Sequence, residues 1–371
     1  MPELIKCVII IFMKLAVDCR MIGSGGIGTY FLSILPYFLR SFECVLFGNE
    51  KTIQQSLDEI IKRNFSGGNI PSYKIIPCKV TTFSFTELLF FPSSLLKIIN
   101  NCEAYYTPYC NIPKGITVPI YSTIHDVVFL DIPEITSKLG FIVRKWFYQR
   151  ALNKSAAVFT VSNFSAERIK EHLNVKNKPI IVTYNAVPEW FTNESFFDDV
   201  VKENILFVGN IKHHKGLHVL VPAFNKAVER GLKAKLIIVG NAENFRTGDS
   251  SILSEISGAS NILFTGKVTD EKLRMLYRNS ALLVQPSLYE GFGMPPMEAL
   301  ACGTNVVLSD IPVFKEIYKD FPVTFFKTGD VDDLTEKLLE KYDSPSPPVS
   351  PDIYSFAKTS EIIINQIKKG K

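Results

Sequence analysis

No stretch of this sequence is apolar for long enough to span a bilayer. The longest early run, Cys7 to Met13, falls far short of the roughly 20 residues a spanning helix needs. No small-residue cleavage site follows a basic start, so a secretory leader is not expected either. Met13-Lys14-Leu15-Ala16-Val17-Asp18 itself reads as a protein start, which makes residues 1–12 an expected extension. The cysteines form no pattern. Cys7, Cys19, Cys44, Cys78, Cys102, Cys110 and Cys302 are odd in number and scattered, with no CxxC pair and no Cys/His set at zinc spacing. A disulfide framework and a zinc module are thereby excluded, and buried thiols in a reducing, cytoplasmic setting are expected. Charge of one sign is scarce too. Lys and Arg total 41 against 37 for Asp and Glu, a formal +4, which favours anionic ligands or an anionic membrane surface only slightly. No nucleic-acid partner is expected. There is also no fixed-period repeat.

What remains is an ordinary globular composition, 46% hydrophobic and 21% charged, in 371 residues, enough for two domains of usual size. Short β-branched runs alternate with helical patterns throughout, the signature of parallel sheets covered by helices. Strands are expected near Lys14–Asp18, Cys44–Phe47, Ile120–Thr123, Ala157–Val161 and Ile180–Val182. A second set is expected near Ile205–Val208, Lys235–Val239, Ile262–Thr265, Ala281–Gln285 and Asn305–Ser309. The break falls near Pro188–Asn204. This gives a first doubly wound domain over 1–188, a second over 189–350 and a terminal helix within 351–371. Ser344-Pro345-Ser346-Pro347-Pro348 reads as an extended connector, because its prolines bar a helix. Two Rossmann-like domains imply a cleft between the carboxyl ends of their sheets.

The most informative stretch runs from Pro286 to Gly303: Pro-Ser-Leu-Tyr-Glu-Gly-Phe-Gly-Met-Pro-Pro-Met-Glu-Ala-Leu-Ala-Cys-Gly. A strand enters a glycine-bearing loop, and a helix starts at Pro295 or Pro296 and closes at Gly303. Free amides of Phe292, Gly293 and Met294 at a positive helix end suit a diphosphate. Glu290 and Glu298, seven residues apart, suit hydroxyl-rich ligands because carboxylate oxygens accept hydrogen bonds from sugar and ribose.

This string resembles the E-x7-E motif of the retaining GT-B glycosyltransferases of family 4, in which the second carboxylate binds the nucleotide ribose and the first contacts the donor sugar. A second segment, Phe207-Val208-Gly209-Asn210-Ile211-Lys212-His213-His214-Lys215-Gly216, resembles that family's strand-end glycine followed by a basic Lys-Gly. There Lys215 would neutralise the leaving diphosphate. Many members carry arginine where Asn210 stands; Asn210 donates hydrogen bonds without charge. His213 and His214 are expected to be solvated. Phe264 to Thr269 resembles the base-pocket segment, with a backbone contact near Val268.

In the first half, Asp18 to Tyr30 joins a strand to a helix beginning near Ile27. Its spacing is not G-x-G-x-x-G, and no acidic residue ends the next strand, which argues against a dinucleotide fold. By resemblance, Gly25 and Gly26 face the donor phosphate. His125 follows the strand Ile120–Ile124 at its carboxyl end and, like a histidine of the family, would contact the donor sugar; Asp126 would cap a turn. Ser162 or Ser165 would cap a helix. Two aromatic, basic segments, Leu88–Asn100 and Phe141–Lys154, fit amphipathic helices packed on the first sheet, and an interfacial helix would show the same pattern.

The resemblance implies an α/β, GT-B enzyme with two Rossmann-like doubly wound domains facing across a cleft. The first would hold a glycan or lipid-linked acceptor, and the second the nucleotide-sugar donor. His125, Glu290 and Lys215 would serve catalysis with retention of configuration. No DxD-type metal site is apparent, so neither metal nor cofactor is expected; the nucleotide-sugar is a substrate. The Gly-Gly-Ile-Gly and His-Asp segments look most like bacterial mannosyl- and rhamnosyltransferases of surface polysaccharide assembly, which makes GDP-mannose the first guess, with peripheral contact at the inner face of the cell membrane. A non-catalytic nucleotide-sugar-binding scaffold and a GT-B phosphorylase or epimerase remain rival readings.

Overall fold

Two parallel sheets carry the molecule. The computed structural model describes residues 12–65, 71–192, 202–240, 256, 259–344 and 353–370. The expected extension save Phe12, most of the segment between Pro188 and Asn204, and the prolines after Ser344 lie outside the described residues.

The first sheet holds β1 (Lys14–Asp18), β2 (Glu43–Gly48), β3 (Tyr73–Pro77), β4 (Ala104–Thr107), β5 (Ile120–Thr123), β6 (Ala157–Thr160) and β7 (Ile180–Val182). Their spatial order is β3-β2-β1-β4-β5-β6-β7. The second holds β8 (Asn204–Val208), β9 (Lys235–Val239), β10 (Ile262–Gly266), β11 (Ser280–Gln285), β12 (Asn305–Ser309) and β13 (Thr324–Phe326), in the order β10-β9-β8-β11-β12-β13. All the strand pairs are parallel, and the strand order reverses once in each sheet, between β1 and β4 and between β8 and β11. Ligands of doubly wound sheets sit at those crossover points.

Three strands were absent from the sequence-based expectation: β3, β4 and β13. The first ends in Pro77 and the last has three residues, so neither offers a full period-2 pattern. The β4 strand, Ala-Tyr-Tyr-Thr, is wholly buried, yet its two tyrosines read as half-polar. Tyr106 satisfies its hydroxyl internally against Thr123, 2.9 Å away.

The helices follow the strands closely. The first begins at Gly25 rather than Ile27 and runs to Ser41. The segment Leu88–Asn100 is not one helix: Phe85–Leu89 ends before Pro92, which then stands at the start of Ser93–Asn100. The helix Lys138–Lys154 packs through Phe147, Tyr148, Ala151 and Leu152 but leaves Leu139, Ile142, Val143 and Trp146 exposed. Packing on the sheet therefore accounts for only one of its apolar faces. All six described cysteines are free thiols, four buried and two, Cys110 and Cys302, half-buried.

The last helix, Phe356–Lys369, lies on the first sheet's layer although the helix before it, Val331–Lys341, packs on the second. Phe356, Ile363, Ile364 and Ile367 share a core with Tyr30, Ile34 and Phe38 of the helix Gly25–Ser41. Thr359 Oγ1 also donates to the Thr183 carbonyl at 3.1 Å. This apolar stripe at helical spacing is what returns the chain to the first domain. Ile363 is fully buried, so Ile363→Ala should lower the unfolding free energy by about 2–5 kcal/mol. Denaturant melts would measure this, and a loss under about 0.5 kcal/mol, typical of a surface change, would mean the helix is not docked there.

Candidate active site

Two loops of the second domain are built against each other by one glycine. Gly216 has φ +77°, and a Cβ there would stand 1.9 Å from the Pro286 carbonyl oxygen. Only glycine meets both demands. The turn His213–Lys215 after β8 thus lies directly on the loop after β11. Leu288 N–H donates to the His214 carbonyl at 2.8 Å and fastens the two. The Lys215 Nζ consequently reaches Glu290 Oε1 at 2.6 Å. Ser287 Oγ donates to the same oxygen at 2.9 Å, and Gln285 Nε2 donates to Ser287 Oγ at 3.2 Å. Lys215 and Glu290 stay partly accessible, with side-chain exposures of 20% and 10%. They remain open to a ligand.

The first domain meets this loop at Gly291. A Cβ on Gly291 would lie 2.7 Å from the His125 carbonyl oxygen and 3.2 Å from Asp126 Cβ. Ser162 Oγ donates to the Gly291 carbonyl at 2.6 Å, and Ser165 Oγ reaches the His125 carbonyl at 3.1 Å. Ser162 also caps the helix Asn163–His172. The hydroxyls that begin a helix thus tie the two domains together.

The His125 ring lies edge-on to Tyr30, with centroids 4.8 Å apart, and its Nε2 is 2.9 Å from the Pro108 carbonyl. A carbonyl can only accept, so Nε2 carries the hydrogen. Burial holds the imidazole neutral, its pKa lowered to about 4, which leaves Nδ1 as an acceptor. Asp126 caps the next turn through Val128 N–H at 3.1 Å. Enclosure raises its pKa, with Lys215 and Lys212 opposing and Glu290 reinforcing the shift. Although Lys212 is exposed, desolvation on one side and the charge of Lys215 hold it below the usual lysine range; Arg144, on the helix Lys138–Lys154, acts in the same sense from the first domain.

The helix Met294–Ala301 starts at Gly293, whose φ is +83°. Pro295 and Pro296 have no amide hydrogen, and the Met297 backbone lies near the Tyr318 hydroxyl. Tyr318 in turn donates to the Gly293 carbonyl. The amides of Phe292, Gly293 and Met294 therefore remain as donors, and among the described residues none meets a backbone acceptor. Glu298 is buried and accepts from the Tyr277 hydroxyl at 2.7 Å. Burial raises its pKa to about 7, and the Tyr277 hydrogen bond only partly opposes this.

The structure thus gathers Lys215 and Glu290 in direct contact, with His125 at their border through Gly291. Gly26 approaches across the cleft: a Cβ on it would lie 3.9 Å from Met294 Cε. A Cβ on Gly25, at φ +55°, would meet nothing within 4 Å. Gly209 lies against Phe207 and Gln285 at the end of β8, while Asn210 is exposed in the turn beyond it. Val268 is half-buried after β10, and the Phe292 ring points into the core, leaving only its backbone for a ligand. The expectation that His213 and His214 are both solvated is corrected. His213 is exposed, but His214 is buried, and desolvation together with Lys215 lowers its pKa to about 3.

The sequence pattern gave no site role to Lys212, Ser287, Tyr277 or Tyr318, and marked Arg144 only as a basic residue of the segment Phe141–Lys154. Lys212 stands three residues before Lys215 and was findable; the tyrosines become visible only when distant elements pack. Among the described residues, no group of three or more His, Cys, Asp or Glu side chains is placed to hold a metal ion, and no helix is long and apolar enough to cross a membrane.

Two family models match the chain: Glycosyltransferase Family 4 over residues 24–189 and Glycosyl transferases group 1 over 191–355. The O-antigen chain mannosyltransferase RfbU of Salmonella typhimurium is 31% identical over 196 residues, 53% of each chain. An uncharacterised glycosyltransferase of Methanocaldococcus jannaschii, MJ1607, is 30% identical over 178 residues, 45% of each. The chain spans about half the length of the curated relatives it matches. In fold, the Anabaena protein HepE, solved with UDP and glucose, superposes with a TM-score of 0.71 at 15% identity, covering 96% of this chain and all of that one. With matched models over both domains and this two-sheet architecture, the chain belongs to the GT-B glycosyltransferases of family 4.

Proposed function

We propose that the chain transfers a hexose from a nucleotide-sugar to a glycan or lipid-linked glycan acceptor during polysaccharide synthesis, with retention at the anomeric carbon and without a metal or cofactor. One observation carries the reading. The 2.6 Å Lys215–Glu290 pair stands at a sheet's crossover point, beside free loop amides, and Gly291 next to Glu290 lies against the His125 carbonyl. GDP-mannose is the first donor to test, because the relative RfbU is named a mannosyltransferase.

In this reading Lys215 keeps one hydrogen on Glu290 and turns another to the donor diphosphate. The amides of Phe292, Gly293 and Met294 complete an anion cradle. Glu290 and the neutral His125, through Nδ1, accept hydroxyls of the donor sugar. The acceptor hydroxyl then bonds to the anomeric carbon on the face the nucleotide leaves. The bond from that carbon to phosphate oxygen breaks, and the hydroxyl proton passes to the departing diphosphate. Glu298 would hold the ribose. Asn210, Gly209, Gly25 and Gly26 would line the phosphates, and Val268 would line the base.

A thermal-shift screen against GDP, UDP, dTDP and ADP, each with its common sugars, tests this reading. A rise in melting temperature with one nucleotide is expected, and no rise with any of them would overturn the donor site. Lys215→Ala should lower kcat by about 10²–10³-fold, read from initial rates with the donor so identified; a change within about threefold would remove Lys215 from the chemistry.

Glu298 gives a pH test. Its folded pKa, about 7, exceeds the ordinary 4.5, so the folded protein holds this proton more tightly than the unfolded chain. The associated stability is complete below about pH 4.5 and is lost as pH rises through about 7, amounting to at most about 3 kcal/mol. Glu298→Gln should therefore gain stability relative to the native protein between pH 5 and pH 8. Nucleotide binding to the native protein should tighten over the same interval, since the ionised carboxylate accepts ribose hydroxyls more strongly. Calorimetric titrations that gave the same pH dependence for the variant would remove Glu298 from the ribose site.

A further inference from the structure

The helix Lys138–Lys154 is apolar on two sides. Phe147, Tyr148, Ala151 and Leu152 face the core, while Leu139, Ile142, Val143 and Trp146 are 70%, 62%, 43% and 50% exposed. Those four follow the i, i+3, i+4, i+7 spacing and form one stripe. Beside it stands Phe83, 51% exposed and held at φ +59°, a backbone region costly for a bulky residue. The Phe147 ring joins the two, lying 5.6 Å from Phe83 and 5.1 Å from Trp146. Phe90, 74% exposed, follows the short helix that Phe83 precedes.

This strained turn is bolted to the interior. Phe83 N–H donates to Glu87 Oε2 at 2.8 Å, and Glu87 Oε1 meets Arg20 Nη2 at 2.6 Å. Arg20 also grips Asp18 through Nε at 2.9 Å and Nη2 at 2.6 Å, with the Tyr105 and Tyr109 hydroxyls closing the network. All three charged side chains are at most 4% exposed. An aromatic ring is thus held outward by a rigid buried anchor at the end of β1. The helix itself carries Lys138, Arg144, Lys145, Arg150 and Lys154 and no acidic residue. Exposed apolar side chains on a helix whose charged residues are all basic, with Lys138, Lys145 and Lys154 exposed, match the acyl boundary and headgroups of a membrane with negative charge.

We infer that this face docks the protein on an anionic lipid bilayer. The docking stands on the surface alone. That it delivers a lipid-linked acceptor to the cleft rests on the donor-site reading above.

Sedimentation with vesicles of phosphatidylcholine, with and without one third phosphatidylglycerol, tests it. The native chain should pellet with the anionic vesicles, and salt should weaken binding. The double variant Ile142→Ser/Trp146→Ser should bind about tenfold more weakly or less, and Lys138→Glu/Lys145→Glu should lose the preference for anionic lipid. Melting temperature and nucleotide-induced shift should be unchanged in both, which separates failure of docking from failure of the donor site. With Trp190→Phe, emission reports Trp146 alone and should move to the blue on vesicle addition. Native protein left in the supernatant with both vesicle types overturns the inference. So does equal binding by native and variant chains, or a dimer in solution that the Ile142/Trp146 variant breaks.

Discussion

The geometry of the site hangs on one close approach between main chains. Gly291 has no room for a side chain because the His125 carbonyl stands where its Cβ would be. Two serine hydroxyls then hold both carbonyls from the start of a single helix. That same helix start receives the Glu316 carboxylate of the second domain, which accepts the Asn163 and Phe164 amides at 2.8 and 2.7 Å. A carboxylate on free first-turn amides is favoured by charge and by the helix dipole. At this place the two domains therefore meet through directional bonds, beside an apolar cluster in which Val161 and Phe164 pack with Phe292 and Phe314.

The charges around that place are balanced against one another. Lys215 lies on Glu290, Asp126 lies within reach of both, and Lys212 and Arg144 add positive charge. Lys212 is exposed, and the positive charges of Lys215 and Arg144 near it disfavour a further cation, so an anion between them would relieve that repulsion. A diphosphate would meet that need, whereas a neutral sugar would not. His125 contributes no charge because its ring is enclosed and its Nε2 is committed to a carbonyl. It acts through shape and one lone pair.

Much of this was legible along the chain. The string from Pro286 to Gly303 announced its strand, loop and helix because each residue there answers a local demand: a glycine at positive φ, prolines at the first helical turn, two glutamates at fixed spacing. Lys215 was marked by its place before Gly216, and the ten expected strands showed themselves by β-branched runs. What escaped was whatever depends on burial from both sides. β4 looked half-polar because the partners of its tyrosines lie in other strands, and His214 looked solvated because its cover comes from the loop after β11. The outward face of Lys138–Lys154 could not be told from its inward face, since both carry the same residue types at the same spacing.

The sequence by itself determined the doubly wound class, the Glu290/Glu298 spacing and the lysine beside it, because these follow from local backbone chemistry and short-range pattern. Tertiary structure alone decided that Glu290 pairs with Lys215 while Glu298 turns to a buried tyrosine, 21 positions earlier in the chain. It alone decided that His125 is neutral and that an apolar stripe stays uncovered. Dielectric surroundings and contacts between distant segments set those properties, and neither is written in neighbouring residues.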